Sequence, residues 1–173
     1  MEPSRITACT QVPSRARPGA LSAVVRAGLG GGAVDFVYAC GVGLIHGRSV
    51  MRVWQGVASG WLGKAAADGG LATMALGIVT HFVIATSMAV TYALVAARVK
   101  LLYRRPVPCG IAYGLVLYAV MYLVVLSLRF PPAFPRWDGV QSVTDIASHI
   151  GVGLVIAVVL SRWARRAPRP DQG

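Results

Sequence analysis

Asp35, His81, Asp145 and His149 are ionisable side chains set inside long apolar stretches, where each is costly to hold and marks a site by default. Two carboxylates and two imidazoles together suit proton or ion relay, because imidazole changes charge near neutral pH. The same four groups can instead form a buried polar network that fixes helix register, each member satisfying another. Two imidazoles on different helices could also ligate a haem iron, or a metal together with Asp35. Asp145 precedes His149 by four residues, one helical turn on the same face. From there its carboxylate is expected to accept a proton from the imidazole and fix its tautomer. That pairing explains the histidine without a cofactor, so neither haem nor metal is expected and the protein should be colourless. Tyr118 completes the set with a phenol at similar depth.

The elements that must position these residues are four apolar stretches at about 20–45, 70–97, 107–128 and 140–163. Each exceeds the ~20 residues an α-helix needs to cross ~30 Å of hydrocarbon. Backbone polar groups cannot go unpaired in lipid, so the stretches should be helices. A hydrophobic share of 55%, a charged share of 13% and a mean hydropathy of +0.62 exclude an ordinary soluble domain. The expected fold is an all-α bundle of four transmembrane helices. A further amphipathic segment at 49–64, with Trp54, Trp61, Arg52 and Lys64, should lie at the membrane interface or dip into it. At 1.5 Å per residue, Asp35, His81 and His149 then sit ~15–17 Å below one membrane face, on three helices.

A net charge of +11 would suggest nucleic acid in a soluble chain, but the placement of the charge argues against it. With four spans, one side carries Arg5, Arg15, Arg17, Arg26, Arg98, Lys100, Arg104, Arg105, Arg162, Arg165, Arg166 and Arg169. The other carries Arg48, Arg52, Lys64, Arg129 and Arg136. Twelve against five predicts both termini in the cytoplasm. Residues 1–19 and 164–173 read as basic cytoplasmic tails, the first disordered.

Other signals point to no chemistry. Cys9, Cys40 and Cys109 are too scattered for a disulfide framework or a zinc site. Tyr38-Ala39-Cys40 follows a basic region as a lipoprotein cleavage box would, but Arg26 and Asp35 interrupt the apolar run and uncleaved insertion is expected. Gly28-Leu29-Gly30-Gly31-Gly32-Ala33 fits a loose dinucleotide fingerprint without the strand that motif requires. There is no nucleophile elbow, H-E-x-x-H pair or P-loop, so no enzyme is expected. The pairs Gly28/Gly32, Gly43/Gly47, Gly56/Gly60 and Gly110/Gly114 let helices approach closely, either within the bundle or between two copies.

Thr80-His81 followed by an apolar run to Tyr92, and Asp145-Ile146-Ala147-Ser148-His149 after a Pro-containing loop at 130–135, resemble the YagU-like group of uncharacterised bacterial inner-membrane proteins. The likeness covers about 70–163; helix 1 and the segment after it match less well. It implies a bacterial inner-membrane location and the treatment of His81, Asp145 and His149 as a unit, and it names no substrate. The expected function is that of a structural or accessory membrane component with a midplane His/Asp cluster, in contact with lipid and with copies of itself or a larger complex. The alternatives are a small oligomeric transporter or proton-handling protein using that cluster, and an electron carrier through His81 and His149.

Overall fold

The computed structural model describes residues 19–131 and 133–166; the expected disordered tail except Gly19, with Cys9 in it, and the last seven residues of the chain lie outside them. Every regular element among the described residues is helical. In chain order these are α1 (Ala20–Ile45), α2 (Val50–Leu62) with a 3-10 extension (Gly63–Ala67), and α3 (Gly70–Arg98). A short α4 (Leu101–Arg104), α5 (Pro106–Arg129) and α6 (Gly139–Arg166) follow. Helices α1, α3, α5 and α6 are long and apolar enough to cross a membrane, giving an all-α four-helix bundle of multi-pass type. The last helix continues through Arg166, so residues 164–166 are helical and not tail. Arg165 and Arg166 in its final turn complement the negative end of the helix dipole.

Helix α6 is central. It packs against α5 on one side and α1 on the other, while α3 packs on α1 and carries α2. Burial follows this order: 39% of the most apolar window of α6 is covered but only 11% of that of α5, whose remaining apolar surface needs lipid. We call the end holding the α3–α5 connection basal and the opposite end distal. The basal half is a dry core of Ala23, Ala27, Ala89, Tyr92, Ala96, Leu117, Val152, Ile156, Ala157 and Leu160. Tyr113 joins α5 to α3 there, its hydroxyl donating to the Met88 carbonyl at 2.7 Å and its ring edge-on to Tyr92.

Small residues set the spacing, as expected where lipid offers no hydrophobic drive for helix association. A Cβ at Gly114 would overlap the α6 backbone at His149 and Ile150, and one at Gly153 would meet Gly110 and Gly114. Gly28 and Gly32 face Thr86 and Phe82 of α3 in the same way. Two of the four glycine pairs therefore serve packing within the chain. Gly47, Gly56 and Gly60 have nothing within 4 Å.

Helix α2 does not lie free at a surface. It buries Trp54, Gln55 and Ala58, and a Cβ at Gly77 of α3 would run into the Trp54 carbonyl. Trp54 stacks on Phe36 of α1 at 4.4 Å, and Trp61 Nε1 donates to Thr80 Oγ1 at 3.2 Å. Phe36 stands nine residues before the distal end of α1, so Trp54 reaches ~14 Å down the bundle. Of the two placements the sequence allows for this segment, these contacts fit the dipping one.

Candidate functional site

Helices α1 and α6 are joined by two polar rungs that face opposite ways. In the distal rung, Tyr38 of α1 donates its hydroxyl to Asp145 Oδ1 of α6 at 2.6 Å. In the next, Ser148 of α6 donates to Asp35 Oδ1 of α1 at 2.7 Å. The spacing is 35/38 on one helix and 145/148 on the other, three residues each, so both rungs fall on the shared face. Asp145 is 7% exposed and also receives Gln141 Nε2 at 2.9 Å. Gln141 reaches the Tyr38 hydroxyl at 2.8 Å, and Thr144 Oγ1 lies 2.9 Å from it. A buried carboxylate is thus matched by donors, as burial in low dielectric requires.

The second rung continues into α3. His81 Nε2 lies 2.9 Å from the Gly32 carbonyl, which can only accept, so Nε2 carries a proton. Nδ1 therefore faces Asp35 Oδ2, at 3.9 Å. That separation is longer than a hydrogen bond and lies at the edge of ion-pair reach. Trp54 and Phe82 pack edge-on to the imidazole with ring centres at 5.0 and 5.2 Å, and Phe36 is tilted at 6.4 Å. These three rings form an aromatic wall around the imidazole.

His149 takes a different course from the expected one. Its Nδ1 donates to the backbone carbonyl of Asp145 at 2.9 Å, while the Asp145 carboxylate is committed to Tyr38 and Gln141. Four residues advance 400° around a helix, and the resulting 40° offset turns Asp145 to α1 and His149 to α5. There the imidazole sits edge-on to Tyr118 and Tyr122, 5.8 and 5.7 Å between ring centres. Those two phenols stack at 4.6 Å because α5 changes to a π-turn at Val120–Val125. Ser127 Oγ donates to the Tyr122 carbonyl across this turn at 2.9 Å, and such turns recur at functional sites.

Of the residues singled out in the sequence, Asp35 and His81 meet directly, and Asp145 follows one helical turn away on the same face. His149 and Tyr118 lie on the α5 side of α6, and Tyr122, which packs against both, links them to Asp145 through its hydroxyl. His81 spends Nε2 on the Gly32 carbonyl of α1, and His149 spends Nδ1 on the Asp145 carbonyl of its own helix. Among the described residues, no three His, Cys, Asp or Glu side chains gather in a way that could hold a metal ion.

Tyr38, Gln141, Ser148 and Trp54 belong to the site, and sequence reasoning passed them over. Gln141 and Ser148 stand four before and three after Asp145, a helical-face signal that was available. Tyr38 carried a similar one, three residues after Asp35. Trp54 gave none, since only the return of α2 against α1 and α3 brings it to His81.

A crevice of ≈ 690 Å³ opens at the distal end between α1 and α6, lined by Val42, Ile45, His46, Asp138 and Val140. Its floor holds Tyr38 and Gln141, which both donate to Asp145, and Thr144, which contacts the Tyr38 hydroxyl. Below the second rung the described helices bury no further carboxylate or imidazole, and Gly31 packs on Val152 and Ile156 of the basal core. No family model, curated protein or solved structure matches this chain significantly.

Proposed function

We propose that this chain is a proton-handling component of a bacterial inner membrane, with both termini in the cytoplasm and no covalent chemistry of its own. The observation that carries the reading is the succession of polar groups from the open crevice, with the Tyr38–Asp145 rung at its floor and the Asp35–His81 pair one helical turn deeper. Protons arriving at the distal end meet a hydroxyl and a carboxylate. One turn deeper they meet a carboxylate and an imidazole with an open acceptor position between them. The positive-inside bias and the resemblance to the YagU-like group support the location and orientation.

The dry basal half favours a second reading, an accessory subunit that stores or relays charge for a larger assembly or for a second copy. Four helices form a thin wall, and the polar ladder ends at Asp35. A lone chain on this reading takes up protons without passing them through. Purified protein in vesicles with a trapped pH dye separates the two. Flux above lipid background, lost in His81→Ala and Asp145→Asn, supports proton conduction by the chain itself. Background flux together with a stably co-purifying partner supports the accessory role. Background flux with unchanged proton uptake in both variants overturns proton handling altogether.

A further inference from the structure

Asp145 is the one carboxylate among the described residues that hydroxyls from two other helices approach. Tyr38 of α1 donates to it at 2.6 Å, and Tyr122 of α5 bonds it from the opposite side of α6. Gln141 of its own helix adds Nε2 at 2.9 Å. A charged carboxylate has acceptor sites for all three donors. No Lys, Arg or His side chain lies within ion-pair distance of it among the described residues. His149 reaches only its backbone carbonyl, Asp35 stands one turn deeper behind Ser148, and His46 and Asp138 lie out along the crevice. The neutral donors are therefore what hold its charge.

The two phenols differ in what else they can do. Tyr38 Oη lies 2.9 Å from Thr144 Oγ1, where either oxygen can donate, and Thr144 Oγ1 donates to the Gln141 carbonyl at 2.9 Å. A protonated Asp145 can thus donate back to Tyr38, with the Tyr38 hydrogen turned to Thr144. The same heavy atoms carry both directions, so the rung between α1 and α6 survives the proton. Tyr122 has no such alternative, because its hydroxyl has no hydrogen-bond partner but Asp145 among the described residues. Once the carboxyl is neutral, that bond loses its charge assistance, about half of its strength.

Tyr122 also stands where α5 is least regular. It lies in the π-turn Val120–Val125, and its ring stacks on Tyr118 and meets Phe134 of the following connection at 5.8 Å. The close backbone contacts of α5 with α6 are at Gly110 and Gly114, basal to that turn. The distal part of α5 thus depends on Asp145 and on stacked rings. We propose that Asp145 is a proton-operated latch on α5: a proton gained there reverses the Tyr38–Thr144 chain, weakens the hold on Tyr122 and loosens the distal part of α5 from α6 beside His149. The latch rests on the proton-handling reading in needing a proton at Asp145, and adds a movement that the proton drives.

Hydrogen–deuterium exchange of the full chain in phosphatidylcholine nanodiscs, read by mass spectrometry of peptides, tests it. Asp145→Asn has the shape of the neutral carboxyl and should speed exchange at residues 120–129 about fivefold, the charge assistance of one hydrogen bond. Tyr122→Phe should speed the same segment by a like factor, and adding Asp145→Asn to it should change little more. Residues 36–45 of α1 should keep their rate, since their rung reverses without breaking. In the parent chain, exchange at 120–129 corrected for its intrinsic rate should rise on acidification, and Tyr122→Phe should remove that rise. Unchanged exchange at 120–129 in either single variant overturns the latch, as does loosening spread equally over α1 and α5. If Asp145→Asn does not fold, the acid arm decides: no rise in the parent, or the same rise in Tyr122→Phe, overturns it. Proton flux enters none of these readings. Background flux with a loosened α5 removes conduction and leaves the latch, whereas flux with an unresponsive α5 does the reverse.

Discussion

The Tyr38 hydroxyl lies 2.6 Å from Asp145 Oδ1, and one turn deeper the Ser148 hydroxyl lies 2.7 Å from Asp35 Oδ1. Each helix contributes one carboxylate and one hydroxyl, so α1 and α6 read each other reciprocally. Sliding one helix by a turn would break both rungs and take each carboxylate away from its hydroxyl donor. The ladder therefore fixes register as well as supplying the groups of the proposed proton path, and its two roles separate experimentally.

Tyr38→Phe keeps the ring and removes the distal rung. Gln141 still serves Asp145, so the loss should be about 1 kcal/mol and not the full desolvation penalty. Unfolding in mixed micelles measures it. A double-mutant cycle of Tyr38→Phe with Asp145→Asn should return most of that value as coupling, and additivity would show that the two groups do not interact.

Gly114 tests the close approach of α5 and α6. A larger side chain must push against the backbone at His149 and Ile150, which cannot rotate away as a side chain would. Gly114→Leu should cost about 1–3 kcal/mol or more, while Gly60→Ala on α2, with open space around it, should be nearly neutral. Equal effects at the two positions would rule out glycine-dependent packing between these helices.

The orientation is checked by reporters. A fusion after residue 173 should report the cytoplasm, and one within the 130–138 connection the opposite side. An exported C-terminal reporter would reverse every assignment of the crevice to the outer face.

How far the sequence reveals all this differs between the helices and the site. The four spans are legible because crossing a bilayer demands a long apolar run, a property of contiguous residues. Asp35 and His81 stand out for the same reason, as ionisable groups in such runs. The partner of Asp145 is not legible. Its choice between His149 and Tyr38 depends on which of two neighbours α6 turns toward, and a helical face 40° away belongs to a different helix. The π-turn that stacks Tyr118 on Tyr122 leaves no mark in composition, since it arises from how α5 fits against α6. The dipping path of α2 is half legible: amphipathicity and tryptophans signal an interface, but Gly77, whose missing side chain admits the Trp54 backbone, reads as one more glycine in a span.

Trp54 is the cover of the inner pair, and its removal should expose that pair. The ring is 1% exposed, stacks on Phe36 and stands edge-on to His81, whose side chain is 14% exposed. Trp54→Ala should cost about 3–5 kcal/mol through the cavity it leaves. That cavity adjoins the polar Asp35–His81 pair, so water should enter it, which an apolar cavity would not allow. Histidine modification by diethyl pyrocarbonate, read residue by residue by mass spectrometry, follows the change. In the parent protein exposed His46 should react first and His81 slowly. In Trp54→Ala the His81 rate should rise severalfold, while His149, held between Tyr118 and Tyr122 on the other side of α6, keeps its rate. Loss of protection at both histidines would mean general loosening of the bundle. Unchanged His81 reactivity would mean that α2 does not seal the site.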